Sequence, residues 1–349
     1  MVSFPRFFQS AADTSPKRLW AAFFCVGLIV GLATNWVYGI LPRSSNDSQD
    51  QDMFFRKKGS YIYINPLLLC GISENKEFDQ YDPLQKKISA LINQEIEAGK
   101  AELVSVYFRE VNQGHWFGIN QDEPYSPASL LKVARAIAYY KLAEEKPEIL
   151  SQTFLYDGTF GANGAEYFIS PHAIVPGRSY RVDELIRYMI EYSDNNATRI
   201  LDEHIDQNLL REVYSDMGVQ LPATQTTSAD FMSAKLYSHF FRVLYNSTYL
   251  SEDYSEKVLN LLHDTDFDQG LRQGVPKEIE IAHKFGERTV LFPDRSVQSR
   301  ELHDCGIVYA PNNPYFLCVM TKGKDFESLK KVIGDVSSSV FSSPRSVVQ

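Results

Sequence analysis

Cysteine, tryptophan and clustered basic charge are all scarce in this 349-residue chain, and two of these shortages exclude functions. The four cysteines, Cys25, Cys70, Cys305 and Cys318, have neither metal-site nor disulfide-scaffold spacing, so no metal site is expected. Buried free thiols are the expected state, with a Cys305–Cys318 bridge across a hairpin as the alternative. Lysine and arginine number 35 against 44 aspartates and glutamates, a net charge of -9, and the basic residues form no visible face. A general nucleic-acid binder needs such a face to neutralise phosphates and is excluded as a partner class. No internal repeat of solenoid period is present. What the chain does have is 44% apolar residues, enough for one large domain or two small ones plus appendages.

The stretch "LWAAFFCVGLIVGLATNWVYGIL" (19–41) carries no charge and is longer than the ~20 residues a bilayer-crossing helix requires. Trp20, Trp36 and Tyr38 lie near its ends. Arg6, Lys17 and Arg18 precede it, while Asp47, Asp50 and Asp52 follow, which predicts a cytoplasmic N-terminus. A cleaved signal peptide is the competing explanation, but the run exceeds the ~7–15 residues of its apolar region and no small-x-small cleavage site follows. The expected organisation is a cytoplasmic tail 1–18, a single membrane anchor 19–41, a polar linker 42–60 and an extracytoplasmic domain 61–349.

Periodicity then predicts a strand over "YIYINPLLL" (61–69), an amphipathic helix over 82–100 and strands over 101–110 and 114–122. A helix-rich middle (129–146, 181–205, 228–246, 252–264) leads to strands at 278–285, 304–310 and 315–321 and a last helix at 324–341. This order suggests an antiparallel sheet covered by helices.

Chemistry enters at "YSPASLLKVARAIAYY" (125–140). Ser129 and Lys132 fall on one helix face a turn apart, so a neutral lysine amine could take the serine proton. Ser-x-x-Lys also occurs at Ser73/Lys76 and Ser328/Lys331, in charged surroundings where the lysine would be solvated. Lys132 instead lies among Leu130, Leu131, Val133, Ala134, Ala136, Ile137 and Ala138, where desolvation would lower its pKa. A lysine that packs its stem and snorkels its head to water explains this segment equally well.

Two further triplets bear on the choice. Ser193-Asp194-Asn195 stands between two helical patterns, where an ordinary helix cap is the plainer explanation. In "IAHKFGE" (281–287), Lys284 ends an apolar strand and Gly286 would allow close backbone approach of a ligand. Ser193 follows Ser129 by 64 residues and Lys284 follows Ser193 by 91.

In this order and spacing the triplets resemble the Ser-x-x-Lys, Ser-Asp-Asn and Lys-Thr-Gly motifs of class A β-lactamases and related penicillin-binding enzymes. The similarity extends over about residues 83–341, including "SPHAIVPGRSYRVDELIRYMIEYSDNNAT" and "HDCGIVYAPNNPYFLCVMT". It implies an α+β, three-layer α-β-α fold with an all-helical subdomain, and a serine hydrolase that needs no cofactor. Ser129 would be the nucleophile, Lys132 its base or proton relay, and Ser193 the group passing a proton to the leaving nitrogen. Asn195 would hold the substrate amide and Lys284 the substrate carboxylate, while the N–H groups of Ser129 and Glu287 would form the oxyanion hole. Asp194 is expected to be structural.

Three departures qualify the resemblance. Phe285 stands where the family has a ligand-contacting hydroxyl. The segment "MGVQLPATQTTSADFM" (217–232) contains no glutamate to activate the deacylating water, so the loop is expected to be deleted. Leu302 stands where an arginine is common, with Arg288 or Arg300 as substitutes. The expected activity is β-lactam hydrolysis, slow unless another base such as Lys132 or Asp230 serves. The alternatives are a penicillin-binding peptidase acting on a peptidoglycan-like peptide, and a non-catalytic sensor or binding module.

Overall fold

The computed structural model describes residues 54–55, 61–65, 67–68, 81–163, 166–222 and 229–343. The expected tail 1–18, the anchor 19–41 and most of the linker lie outside the described residues, as does Ser73/Lys76. Among the described residues no helix is long and apolar enough to cross a membrane.

Helix α1 (Asp82–Glu97) has Pro83 in its first turn, where a missing N–H costs nothing, and buries Leu84, Ile88 and Ile92 at four-residue spacing. It stops in a Schellman turn: Gly99, at φ +72°, donates to Ile96 O at 2.9 Å and Lys100 donates to Glu95 O at 3.0 Å. Strands β1 (Leu103–Glu110) and β2 (Trp116–Ile119) follow as a hairpin.

A 3₁₀ turn, Ala128–Leu131, leads into α2 (Lys132–Glu145), which is buried on nearly every face. A short hairpin, β3 (Thr153–Tyr156) with β4 (Arg178–Arg181), frames the long segment 157–177, whose described residues, 157–163 and 166–177, form neither helix nor strand. Helices α3 (Val182–Glu191), α4 (Asn195–His204), α5 (Gln207–Asp216), α6 (Ala234–Tyr245) and α7 (Glu252–His263) complete the helical body. The chain then returns through β5 (Ile281–Leu291), β6 (Val297–Val308) and β7 (Tyr315–Gly323) to α8 (Phe326–Phe341).

These five strands other than β3 and β4 form one antiparallel sheet in the order β2-β1-β7-β6-β5. Both of its faces are covered, which explains why its strands read as nearly continuous apolar runs rather than alternating ones. Along β1, Val104, Val106 and Phe108 join Leu84, Ile88 and the α8 residues Leu329, Val332 and Ile333 in one core. Tyr107 points the other way, into a second core with α2 and the helical body. The expected antiparallel sheet flanked by helices is therefore what the chain forms.

Two expectations are corrected. Residues 61–65 are not a strand: the N–H groups of Ile62, Tyr63 and Ile64 converge on the Glu256 carboxylate at 2.5–3.0 Å, which satisfies them without a ladder partner. Among the described residues of 61–69, Leu67–Leu68 alone pairs, with Phe54–Phe55. Cys305 and Cys318 are bridged rather than free, because the β6–β7 register sets them directly opposite one another with Cα atoms 3.9 Å apart.

Candidate active site

Register also places the third triplet. One row of residues across the sheet runs Gly118, Tyr107, Cys318, Cys305, Lys284, so Lys284 lies at the β5 end beside the disulfide. Its side chain is fully buried, and Nζ has no hydrogen-bond partner among the described residues. Its nearest ring contact is Phe285, 4.3 Å from the ammonium to the centroid. Burial lowers its pKa to about 7, against opposing fields from Asp304, Asp266 and Glu287.

The Ser129 turn is wedged against this strand. A Cβ on Gly286 would lie 2.9 Å from Pro127 O and 3.2 Å from Leu130 N, so the glycine admits the turn that carries Ser129. Here the close approach that Gly286 permits is made by the Pro127–Leu130 backbone of the protein itself. His303 on β6 fixes the turn from beneath through Nε2 to Ser126 O at 3.0 Å, while its Nδ1 accepts from Thr321 N at 3.3 Å, a pairing that requires the Nε2-protonated tautomer. Ala128, at φ +47°, and Ser193, at φ +53°, both hold left-handed backbone without being glycine, strain of the kind that collects at functional sites.

Lys132 does not snorkel to water. Its Nζ donates to Ser193 O at 2.5 Å, Ser193 Oγ at 3.0 Å and Asn195 Oδ1 at 2.7 Å. Burial, and next the Lys284 charge, hold its pKa well below the usual lysine range. Asp194 caps α4 through Asn196 N at 2.7 Å and Ala197 N at 3.0 Å, and also accepts from Ile174 N and Asn163 Nδ2. The cap therefore orients Ser193 and Asn195 on one side and the 157–177 segment on the other.

Ser129, Lys132, Asn195 and Glu287 line one cavity of about 540 Å³, together with Arg288 and Glu166. Ser129 and Ser193 also border a narrower neighbouring space of about 210 Å³ with Phe285 and Glu287. Ser328/Lys331 is remote from this chemistry: Lys331 is an exposed α8 residue bonded to Asp335 at 2.6 Å. Among the described residues no group of three His, Cys, Asp or Glu side chains could hold a metal ion.

Sequence comparison places this constellation in a family. The sequence model of the Beta-lactamase enzyme family matches residues 83–343. The chain belongs to this family. A search of curated proteins found no match. Among solved structures the β-lactamase fold recurs in PBP-A (20% identity, 78% of this chain and 98% of that one, TM-score 0.60). It recurs again in the TLA-3 extended-spectrum β-lactamase (18% identity, 74% and 98%, TM-score 0.63). A β-lactamase from Xanthomonas campestris pv. campestris is similar to the same degree (18% identity, 74% and 97%, TM-score 0.62).

The departures from the family's motifs now have physical content. Phe285 stacks on Phe267, with ring centroids 3.9 Å apart, and packs edge-on to Phe168. Leu302 is a core residue beneath α1 and α8, where a guanidinium would be buried unpaired. Of its two possible substitutes, Arg288 lines the cavity and pairs with Asp230 at 2.9 Å, whereas Arg300 lies over the rings of Tyr167 and Phe326. Of the segment 217–232, residues 223–228 fall outside the described residues.

Sequence reading missed Glu166. It enters the cavity from the 157–177 segment and accepts a hydrogen bond from Asn195 Nδ2. Irregular backbone carries no periodic signal, so nothing local marked it. Neighbouring residues fasten the segment on both sides of the cleft: Ala162 N to Asn196 Oδ1 at 2.7 Å, and Tyr167 N and Phe168 N to the Glu287 carboxylate, each at 2.9 Å. Burial raises the Glu287 pKa, with those two N–H bonds opposing.

Proposed function

We propose that the protein is a serine acyl-transfer hydrolase in which Ser129 attacks a strained or activated cyclic amide of the β-lactam type. The observation that carries this reading is the environment of the Lys132 amine. A neutral amine has two N–H bonds, which the Ser193 carbonyl and Asn195 Oδ1 take, and one lone pair that faces the Ser193 hydroxyl at 3.0 Å, so a proton taken up by the amine can be relayed to or from Ser193. Lys132 would draw the proton from Ser129 Oγ as it bonds to the carbonyl carbon, and Ser193 would pass a proton to the departing nitrogen. The N–H groups of Ser129 and Glu287 would stabilise the oxyanion, at ~10²–10³ in rate per donor. Lys284, whose buried amine has no hydrogen-bond partner among the described residues, would receive a substrate carboxylate. A solved PBP-A variant carries penicillin G as an acyl-enzyme, which supports β-lactams as probes of this site.

The absence of glutamate from 217–232 favours slow release of the acyl group, as in a penicillin-binding peptidase, over rapid turnover. Residues 19–41 would anchor the chain in the membrane with the domain on the extracytoplasmic side, a reading that rests on their length and lack of charge. Intact-mass spectrometry of the full chain with a penicillin and a cephalosporin, followed from minutes to hours, tests the chemistry. A persistent adduct on Ser129 identifies a penicillin-binding or slow enzyme, and a transient one with loss of drug identifies a β-lactamase. Lack of any adduct overturns the reading.

A further inference from the structure

A third space, of about 400 Å³, lies beyond the two that border Ser129. It shares Phe168, Ile169, Ser170, Tyr192 and Phe285 with the space of about 210 Å³ that Ser129 and Ser193 border, so the two adjoin. The 157–177 segment closes it on one side: Ser170 Oγ donates to Asp266 at 2.5 Å and Tyr167 OH to Glu327 at 3.2 Å. Its lining joins the rings of Phe168, Tyr192, Phe267 and Phe285 to three carboxylates, Asp266, Asp268 and Glu327, and includes no lysine or arginine. Glu327 is paired with Lys330 at 2.5 Å, whereas Asp266 and Asp268 have no cationic side chain within 4 Å among the described residues. The cations nearby are placed elsewhere: Arg187 is 3.8 Å from Glu191, Arg300 lies over the rings of Tyr167 and Phe326, and Lys284, on which the field of Asp266 acts, is fully buried.

Position ties this space to one half of the substrate. The heterocycle that carries the leaving nitrogen, assigned to Ser193, also carries the carboxylate assigned to Lys284, so its far substituent lies along Phe285, the ring that both spaces share. Aromatic rings beside unbalanced carboxylates favour a cation that sheds water readily, such as a quaternary or aromatic ammonium. An anion there would meet two like charges.

We propose that this space is a leaving-side subsite for a quaternary or aromatic ammonium group, with Asp266 and Asp268 as its specificity residues. The proposal rests on the reading of Ser129 as the acylated nucleophile and adds a charge preference to it. The cation would rest against the two carboxylates and the Phe285 ring, while the acyl half stays with Asn195 and Glu287. Selection would therefore depend on the leaving half alone, and it would show in the specificity constant for acylation.

The test uses the full-length protein in detergent and three cephalosporins that share one acyl side chain and differ at the 3-methylene substituent: cefepime (quaternary ammonium), cefotaxime (neutral acetoxy) and ceftriaxone (anionic triazine). The rate of adduct formation on Ser129 is followed by intact mass. Because the substituents also change intrinsic reactivity, the readout is the cefepime to ceftriaxone rate ratio in each protein. From wild type to the double variant Asp266→Asn/Asp268→Asn this ratio should fall about fivefold to twentyfold, and the difference should shrink as salt is raised. Asp268→Lys, a change at an exposed position, should lower it as well. Labelling by cefotaxime shows that a variant is folded. A ratio unchanged in both variants overturns this proposal alone, as does labelling of the wild type by a penicillin but by none of the three cephalosporins. Absence of labelling by either class overturns it together with the acylation reading.

Discussion

The Lys132 amine sits 3.0 Å from Ser193 Oγ, 61 residues along the chain, so the first and second sequence motifs meet in a single hydrogen-bonded unit. Removing the nucleophile should leave that unit standing. Ser129→Ala deletes one hydroxyl at a partly exposed position, so adduct formation should disappear while stability changes by less than about 0.5 kcal/mol. Intact mass and urea unfolding check the two halves. Equal labelling of wild type and variant would remove Ser129 from the mechanism.

Lys132→Met should reduce acylation by about 10²–10⁴-fold, the range for losing a positioned general base. In the wild type the acylation rate should rise with pH through the lysine's depressed pKa, well below the ordinary lysine range, because only the neutral amine can take a proton. A stopped-flow pH profile shared by wild type and Lys132→Met would contradict this assignment.

Lys284 is a cost to folding. Its folded pKa of about 7 lies below its unfolded value, so above pH 7 and up to the normal lysine range the unfolded chain holds more protons. Its burial penalty is thus fully present below about pH 7 and is relieved as pH rises. Lys284→Met should be more stable than wild type at about pH 6.5, by about 1–3 kcal/mol, with the gap closing toward about pH 9.5. Urea midpoints at the two pH values measure it. The same variant should lose affinity for anionic β-lactams.

Gly286→Ala forces a Cβ to within 2.9 Å of the Pro127 carbonyl and 3.2 Å of the Leu130 nitrogen, both backbone atoms that cannot rotate away. A destabilisation of about 1–3 kcal/mol is expected from such overpacking. The Ser129 turn should also be displaced, so acylation should fall more than stability alone predicts. A variant with unchanged acylation and unchanged melting temperature would show that the strand gives way freely.

The Cys305–Cys318 bridge closes a short loop, with a sequence separation of 13 residues. Replacing both cysteines with alanine should cost about 2–3 kcal/mol, chiefly through the freed unfolded chain. Thermal unfolding under non-reducing conditions, compared with that of wild type, provides the measurement.

The sequence by itself determined the elements whose signals are local. The four-residue spacing of Leu84, Ile88 and Ile92, with Pro83 and Gly99 at the ends, defines α1. The apolar surroundings of Lys132 already separated it from the solvated Lys331. The order and spacing of the three triplets carried the family, because those residues act through side chains that the chain order preserves.

Only tertiary structure could decide what depends on register and on non-local partners. It set Cys305 opposite Cys318, turned the backbone of Ile62–Ile64 onto Glu256 instead of a strand, and seated the Ser129 turn against Gly286. Glu166 belongs to this second group. A carboxylate on irregular backbone has no periodicity to betray its direction, and its place beside Asn195 exists only because Asp194 and Glu287 fasten the segment from opposite walls of the cleft.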